Sequence, residues 1–95
     1  MNTFLLEILT PDKPFYRENV DMVIAKGQKG FLGILAHHAP LLTRLTPGPI
    51  RIKKNDTEQV LMTGAGLMEV TSDGVTVLAD SAEPAPASGP AKVTN

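Results

Sequence analysis

The sequence predicts an all-β domain, a small sandwich or barrel, and three observations carry that reading. Short runs of Val, Ile, Leu and Phe recur along the chain, as half-buried strands require. Gly, Pro, Asn and Asp punctuate these runs at close intervals and supply the backbone angles of turns. No stretch keeps helical spacing for a usable length before a proline or glycine interrupts it, and each glycine inside a helix costs about 1 kcal/mol against alanine.

The elements follow in order. Phe4 to Leu9 reads as the first strand, closed by Thr10-Pro11-Asp12-Lys13-Pro14, whose prolines stop a regular ladder. Phe15-Tyr16-Arg17 resumes as a strand or edge piece. Val20 to Lys26 alternates partly, with Val20, Met22 and Ile24 on one side. Gly27 to Gly30 is hairpin-like, and Phe31 to Leu35 is the next strand. After His37-His38-Ala39-Pro40, the run Leu41-Leu42-Thr43-Arg44-Leu45 also suits one helical turn, which Pro47-Gly48-Pro49 cuts short. Ile50-Arg51-Ile52-Lys53 alternates apolar and basic, the pattern of a half-exposed strand. Asn55-Asp56 supplies a turn, and Gln59 to Met62 returns. Gly64-Ala65-Gly66 is a kink or bulge. Leu67 to Val70 and Val75 to Ala79 flank Ser72-Asp73-Gly74, whose Asp-Gly favours a tight hairpin.

The body is expected to occupy residues 1–83. Residues 84–95 are rich in proline and alanine and hold one bulky apolar residue, Val93. Such a segment buries too little surface to offset its ordering entropy, so a disordered tail is expected.

Composition narrows the function. Ninety-five residues make one domain. The net charge of −1 and the lack of a basic stripe argue against nucleic acid. Without cysteine there is no disulfide, thiolate ligand or thiol chemistry. No apolar run approaches the ~20 residues of a membrane span, and no signal peptide is seen at the N-terminus. Any membrane association is expected to come through partners.

The chemistry-bearing residues point the same way. His37 and His38 are adjacent, and neighbours on a strand face opposite ways, so a shared metal is not expected. The carboxylates are scattered, without the fixed pair that acid–base catalysis needs. Gly27, Gly30 and Gly33 lack the Lys-Ser/Thr ending and following helix of a phosphate loop. No catalytic, cofactor-binding or metal site is assigned. What remains is a shaped surface from Gly27 to Thr43. Phe31, straight after the Lys29-Gly30 turn, either tucks into the end of the body or stands exposed to meet a partner.

Five segments, in order and spacing, resemble the epsilon subunit of F-type ATP synthases, called delta in mitochondria. They are Thr10-Pro11-Asp12-Lys13-Pro14-Phe15-Tyr16; Gly30-x-Leu32-Gly33-Ile34-Leu35-x-x-His38-Ala39-Pro40-Leu41-Leu42-Thr43; Leu45-x-Pro47-Gly48-x-Ile50-Arg51-Ile52; Gly66-x-x-Glu69-Val70; and Val75 to Asp80. The resemblance covers residues 4 to 83 and implies a flattened barrel or sandwich of about ten strands. It implies a non-catalytic rotor subunit at the foot of the central stalk, linking the gamma subunit of F1 to the c-ring of Fo and coupling ion translocation to ATP synthesis. It would be a peripheral membrane protein on the cytoplasmic face of the energy-coupling membrane. Carried across by position, His38 and Thr43 lie on or near the gamma-facing side, and Lys29, Gly30 and Phe31 face the c-ring loops. The sequence departs from the pattern at Phe31, where many relatives are acidic, and at His37, where many carry glycine. Typical members continue into two antiparallel helices that block hydrolysis and in some bind ATP. The tail here has no such pattern, so no C-terminal helical hairpin, no helix-mediated inhibition and no ATP binding are expected.

Two other readings compete. A biotinyl or lipoyl carrier domain has this size and needs a modifiable lysine at a hairpin tip, for which Lys54 is the candidate. A free-standing ligand-binding barrel would need a roomy apolar interior.

Overall fold

The computed structural model describes residues 2–85. Ten strands occur there and no helix: β1 Phe4–Leu9, β2 Pro14–Val20, β3 Met22–Gly27, β4 Gly30–Leu35, β5 Leu41–Leu45, β6 Gly48–Lys54, β7 Thr57–Thr63, β8 Gly66–Thr71, β9 Gly74–Ala79 and β10 Ala82–Pro84. The expected β-sandwich of about ten short strands is what the chain forms.

Pairing builds two halves. One runs β4-β3-β6-β7-β10 and the other β5-β8-β9-β1-β2. They join at a corner where Gly27 of β3 faces Leu45 of β5, and the Thr46 N–H donates to the Lys26 carbonyl at 3.0 Å. β1 and β9 form the single parallel pair among the described residues. Period-two alternation then fills the space between the halves. Leu6 and Ile8, Ile50 and Ile52, Met68 and Val70, and Val75 and Val77 all point inward and are buried. Burying each such large side chain contributes roughly 1.5–3 kcal/mol.

The structure alters three of the local expectations. Leu41–Leu45 is not a helical turn; it pairs along its whole length with β8, from Leu41 opposite Val70 to Leu45 opposite Gly66. A single helical turn makes too few hydrogen bonds to compete with a full ladder. The run from Val20 to Lys26 is not one strand. Asp21 bends the chain: its N–H donates to the Lys53 carbonyl at 2.8 Å, and its carboxylate accepts the Asn55 N–H at 3.0 Å. The bend shifts the alternation, so Val20, Val23 and Ala25 reach the core while Met22 and Ile24 face outward. Finally, the ordered body runs past Glu83. Pro84 sits opposite Leu61 in β10, and the Ala85 N–H donates to the Val60 carbonyl at 3.1 Å. An edge strand tolerates a proline there. The rest of the expected tail, from Pro86 on, lies outside the described residues.

Candidate docking surfaces

The β3–β4 hairpin projects from one end of the sandwich. Gly27 and Gly30 close a turn made by Gln28 and Lys29, and Gly30 holds φ at +131°, a value that suits glycine. The next residue out, Phe31, stands opposite Lys26 on the outward face and is 60% exposed. Of the two placements open in the sequence, the exposed one is found. Strand parity explains it: Leu32 and Ile34 take the inward positions of β4, which leaves Phe31, Gly33 and Leu35 outside. Met22 covers Gly33, its methyl 2.9 Å from where a Cβ would stand.

His38 lies in the link from β4 to β5, at the other end of the sandwich. Its N–H donates to the Leu35 carbonyl at 3.2 Å. Its Nδ1 is 2.7 Å from the Ala39 carbonyl. A carbonyl only accepts, so Nδ1 carries a proton in this contact. His37 takes φ of +66° to make the turn. Both imidazoles border an open cleft of about 450 Å³, floored by Ile34, Val70 and Val75 and rimmed by the Ser72-Asp73 turn. No group of three metal-ligating side chains occurs among the described residues.

Thr43 belongs with the hairpin rather than with His38. It faces inward from β5 and borders a shallow hollow shared with Gly27, Lys29, Gly30 and Phe31. Its hydroxyl donates a long bond to the Arg44 carbonyl at 3.5 Å. The family resemblance pairs Thr43 with His38 and sets them apart from Lys29, Gly30 and Phe31. In space Thr43, Lys29, Gly30 and Phe31 come together, and His38 stands away at the opposite end of β5.

A third surface escaped the sequence reading. The outward face of β5, β8 and β9 carries Leu42 at 68%, Leu67 at 40% and Leu78 at 49% exposure. Register sets Leu67 directly beside Leu78, and Leu78 beside Leu9 of β1. Arg44 lies opposite Leu67, and Glu69 opposite Leu42. The signal was present in Leu67-Met68-Glu69-Val70: a charged Glu69 marks the solvent side, and Leu67, two residues away, shares it. A contiguous exposed apolar patch on a small domain marks a site of interaction.

Three ion pairs tie charged groups to their neighbours among the described residues. Glu7 pairs with Arg17 and Arg51 with Glu58. Hydrogen bonding to Arg51 holds the Glu58 carboxyl below its usual range and raises Arg51. Lys54 ends β6, before the Asn55-Asp56 turn, and its ammonium is engaged by Glu18, which raises its pKa. A carrier lysine must stand free at a hairpin tip to take its prosthetic group; Lys54 is at the tip of the β6–β7 hairpin but is engaged by Glu18. Burial raises the Tyr16 phenol, with Glu18 adding to the shift.

Residues 3–85 match the model of the ATP synthase Delta/Epsilon chain beta-sandwich domain family. The ATP synthase epsilon chain of Alkalihalophilus pseudofirmus is 42% identical over 83 residues, 87% of this chain and 62% of that one. The epsilon chain of Acinetobacter baylyi is 46% identical over 83 residues, 86% and 60% of the two chains. This chain thus spans less than two thirds of the length of these relatives. Among solved structures, a chain of the Euglena gracilis mitochondrial ATP synthase OSCP/F1/c-ring assembly superposes with a TM-score of 0.81 at 20% identity, covering 86% of this chain and 53% of its own. A chain of the Tetrahymena thermophila mitochondrial ATP synthase central stalk/c-ring gives 0.75 at 15% identity, covering 99% and 79%. Those two likenesses concern the fold alone.

Proposed function

This chain belongs to the delta/epsilon family of ATP synthase chains, and from that premise we propose that it is a central-stalk subunit, joining the gamma subunit of F1 to the c-ring of Fo and turning with them. The observation that carries the proposal is the match over residues 3–85, which takes in the whole described body apart from residue 2.

The proposed work is mechanical. A sandwich with a packed core and hydrogen-bonded halves resists shear, and a stiff link passes torque from an ion-driven ring without taking part in bond chemistry. The outward face of β5, β8 and β9 fits a large partner, because its leucines are exposed and contiguous. We assign gamma to that side, with His38 in the link that precedes β5; Thr43 points away from this face and goes with the β3–β4 hairpin. Lys29, Gly30 and Phe31 are assigned to the polar loops of the c-ring. Phe31 makes that contact apolar. No helix occurs among residues 2–85, so neither nucleotide binding nor inhibition of hydrolysis is assigned to this body. The protein would sit on the cytoplasmic face of the energy-coupling membrane, held there by its partners.

Calorimetry with a cognate gamma subunit tests the reading, with wild type beside His38→Ala, Leu67→Glu and Phe31→Glu. One-to-one binding that weakens about tenfold or more in the first two and is unchanged in the third is expected. Absence of binding to gamma at any ionic strength overturns the proposal.

A further inference from the structure

The outward face of β5 and β8 is its own complement. Four residues make a rectangle on it. Leu42 stands opposite Glu69 and Arg44 opposite Leu67, so the two leucines occupy one diagonal and the two charges the other. All four are exposed. The ion pairs among the described residues are Glu7–Arg17, Arg51–Glu58 and Lys54–Glu18, and neither Arg44 nor Glu69 takes part. Elsewhere on the sandwich a diagonal pair does close: Arg51, opposite Val60, reaches Glu58. Arg44 to Glu69 is the diagonal of opposite sense, and the twist of a sheet draws one diagonal together while it opens the other.

We propose that this face pairs two copies of the chain around a two-fold axis lying along the Leu42–Leu67 diagonal. Rotation about that axis sets Leu42 against Leu42 and Leu67 against Leu67. It sets Arg44 of each copy against Glu69 of the other, twice. An axis along the strands would instead put Arg44 on Leu67 and Glu69 on Leu42, and an axis across them would put Arg44 on Leu42. Only the diagonal arrangement satisfies all four groups. It is isologous, so it closes at a dimer. Leu78 extends the apolar contact beside Leu67. The pairing itself needs nothing from the gamma assignment. It rests on that reading in one respect: a gamma subunit that uses the same leucines dissolves the pair.

Sedimentation velocity on the full chain, from about 10 µM to about 1 mM, tests the proposal. The weight-average mass of wild type is expected to rise from the 10.1 kDa monomer towards twice that value. Arg44→Glu alone and Glu69→Arg alone are expected to stay monomeric, because each faces like charges across the axis. Their equimolar mixture is expected to recover the dimer, as is the double variant. Amide shifts that move with concentration around Leu42, Leu67 and Glu69 give a second readout in wild type, which does not depend on how well a variant folds. A wild type that stays monomeric and shows no such shifts overturns the proposal, and so does a mixture of folded single variants no heavier than either alone. Gamma binding measured on the same samples separates this outcome from failure of the stalk reading.

Discussion

Gly66 lies directly against the backbone of Leu78. A Cβ at position 66 would stand 2.1 Å from the Leu78 carbonyl oxygen and 2.9 Å from the Ala79 Cα. Neither atom can step aside without parting β8 from β9. Gly64 is as crowded, but by the ends of side chains: its Cβ would meet Asp80 Oδ1 at 1.9 Å and Ser81 Oγ at 2.8 Å. Both Asp80 and Ser81 are exposed and free to rotate away. Gly66→Ala is therefore expected to cost about 2–4 kcal/mol, and Gly64→Ala at most about 1 kcal/mol. Urea unfolding of the two variants measures both; equal costs would place the crowding at Gly66 elsewhere.

His37 holds a left-handed backbone, φ +66°, in the link between β4 and β5. A side chain there costs roughly 1–2 kcal/mol, part of which glycine returns through its looser unfolded chain. His37→Gly is expected to raise stability by about 0.5–1 kcal/mol. The midpoint of a denaturant titration should move up with its slope unchanged.

β4 carries side chains of two kinds. Ile34 is 1% exposed in the core, and Phe31 is 60% exposed at the tip. Ile34→Ala is expected to cost about 2–5 kcal/mol. Phe31→Ala is expected to change stability by less than about 0.5 kcal/mol. Thermal unfolding distinguishes them, and a small effect at Phe31 together with lost c-ring binding would assign that residue to docking alone.

The Arg51–Glu58 pair makes a modest acid-dependent contribution. Its hydrogen bond lowers the Glu58 pKa in the folded state from the ordinary 4.5. A depressed carboxyl stabilises the fold above its unfolded value and loses that contribution as pH falls through the lowered folded value. Both partners are solvent-exposed, so the contribution is small. Carboxyl NMR titration should place Glu58 below the other exposed glutamates, and Arg51→Gln should return it to them.

The local structure of this protein is written in the order of its residues. Ile50-Arg51-Ile52-Lys53 could only be a half-exposed strand, because Ile50 and Ile52 are buried together and Arg51 and Lys53 exposed together. Asn55-Asp56 could only turn the chain, and both residues adopt positive φ there. The spacing of motifs from Thr10 to Asp80 carries the family resemblance, since each short strand and turn leaves its mark within a few residues.

What the tertiary structure decided is non-local. Leu41–Leu45 became a strand because β8 lies beside it, not because its own spacing excludes a helical turn. Asp21 split one apparent strand in two by bonding Lys53 and Asn55, more than thirty residues away. Thr43 joined Lys29, Gly30 and Phe31 rather than His38, because β5 runs the length of the sandwich and its two ends belong to different surfaces. The exposed face of Leu42, Leu67 and Leu78 depends on which strands are neighbours and in what register. Alternation places each leucine on one side of its own strand; only pairing across strands brings the leucines together into a surface, and pairing is set by contacts between residues far apart in the chain.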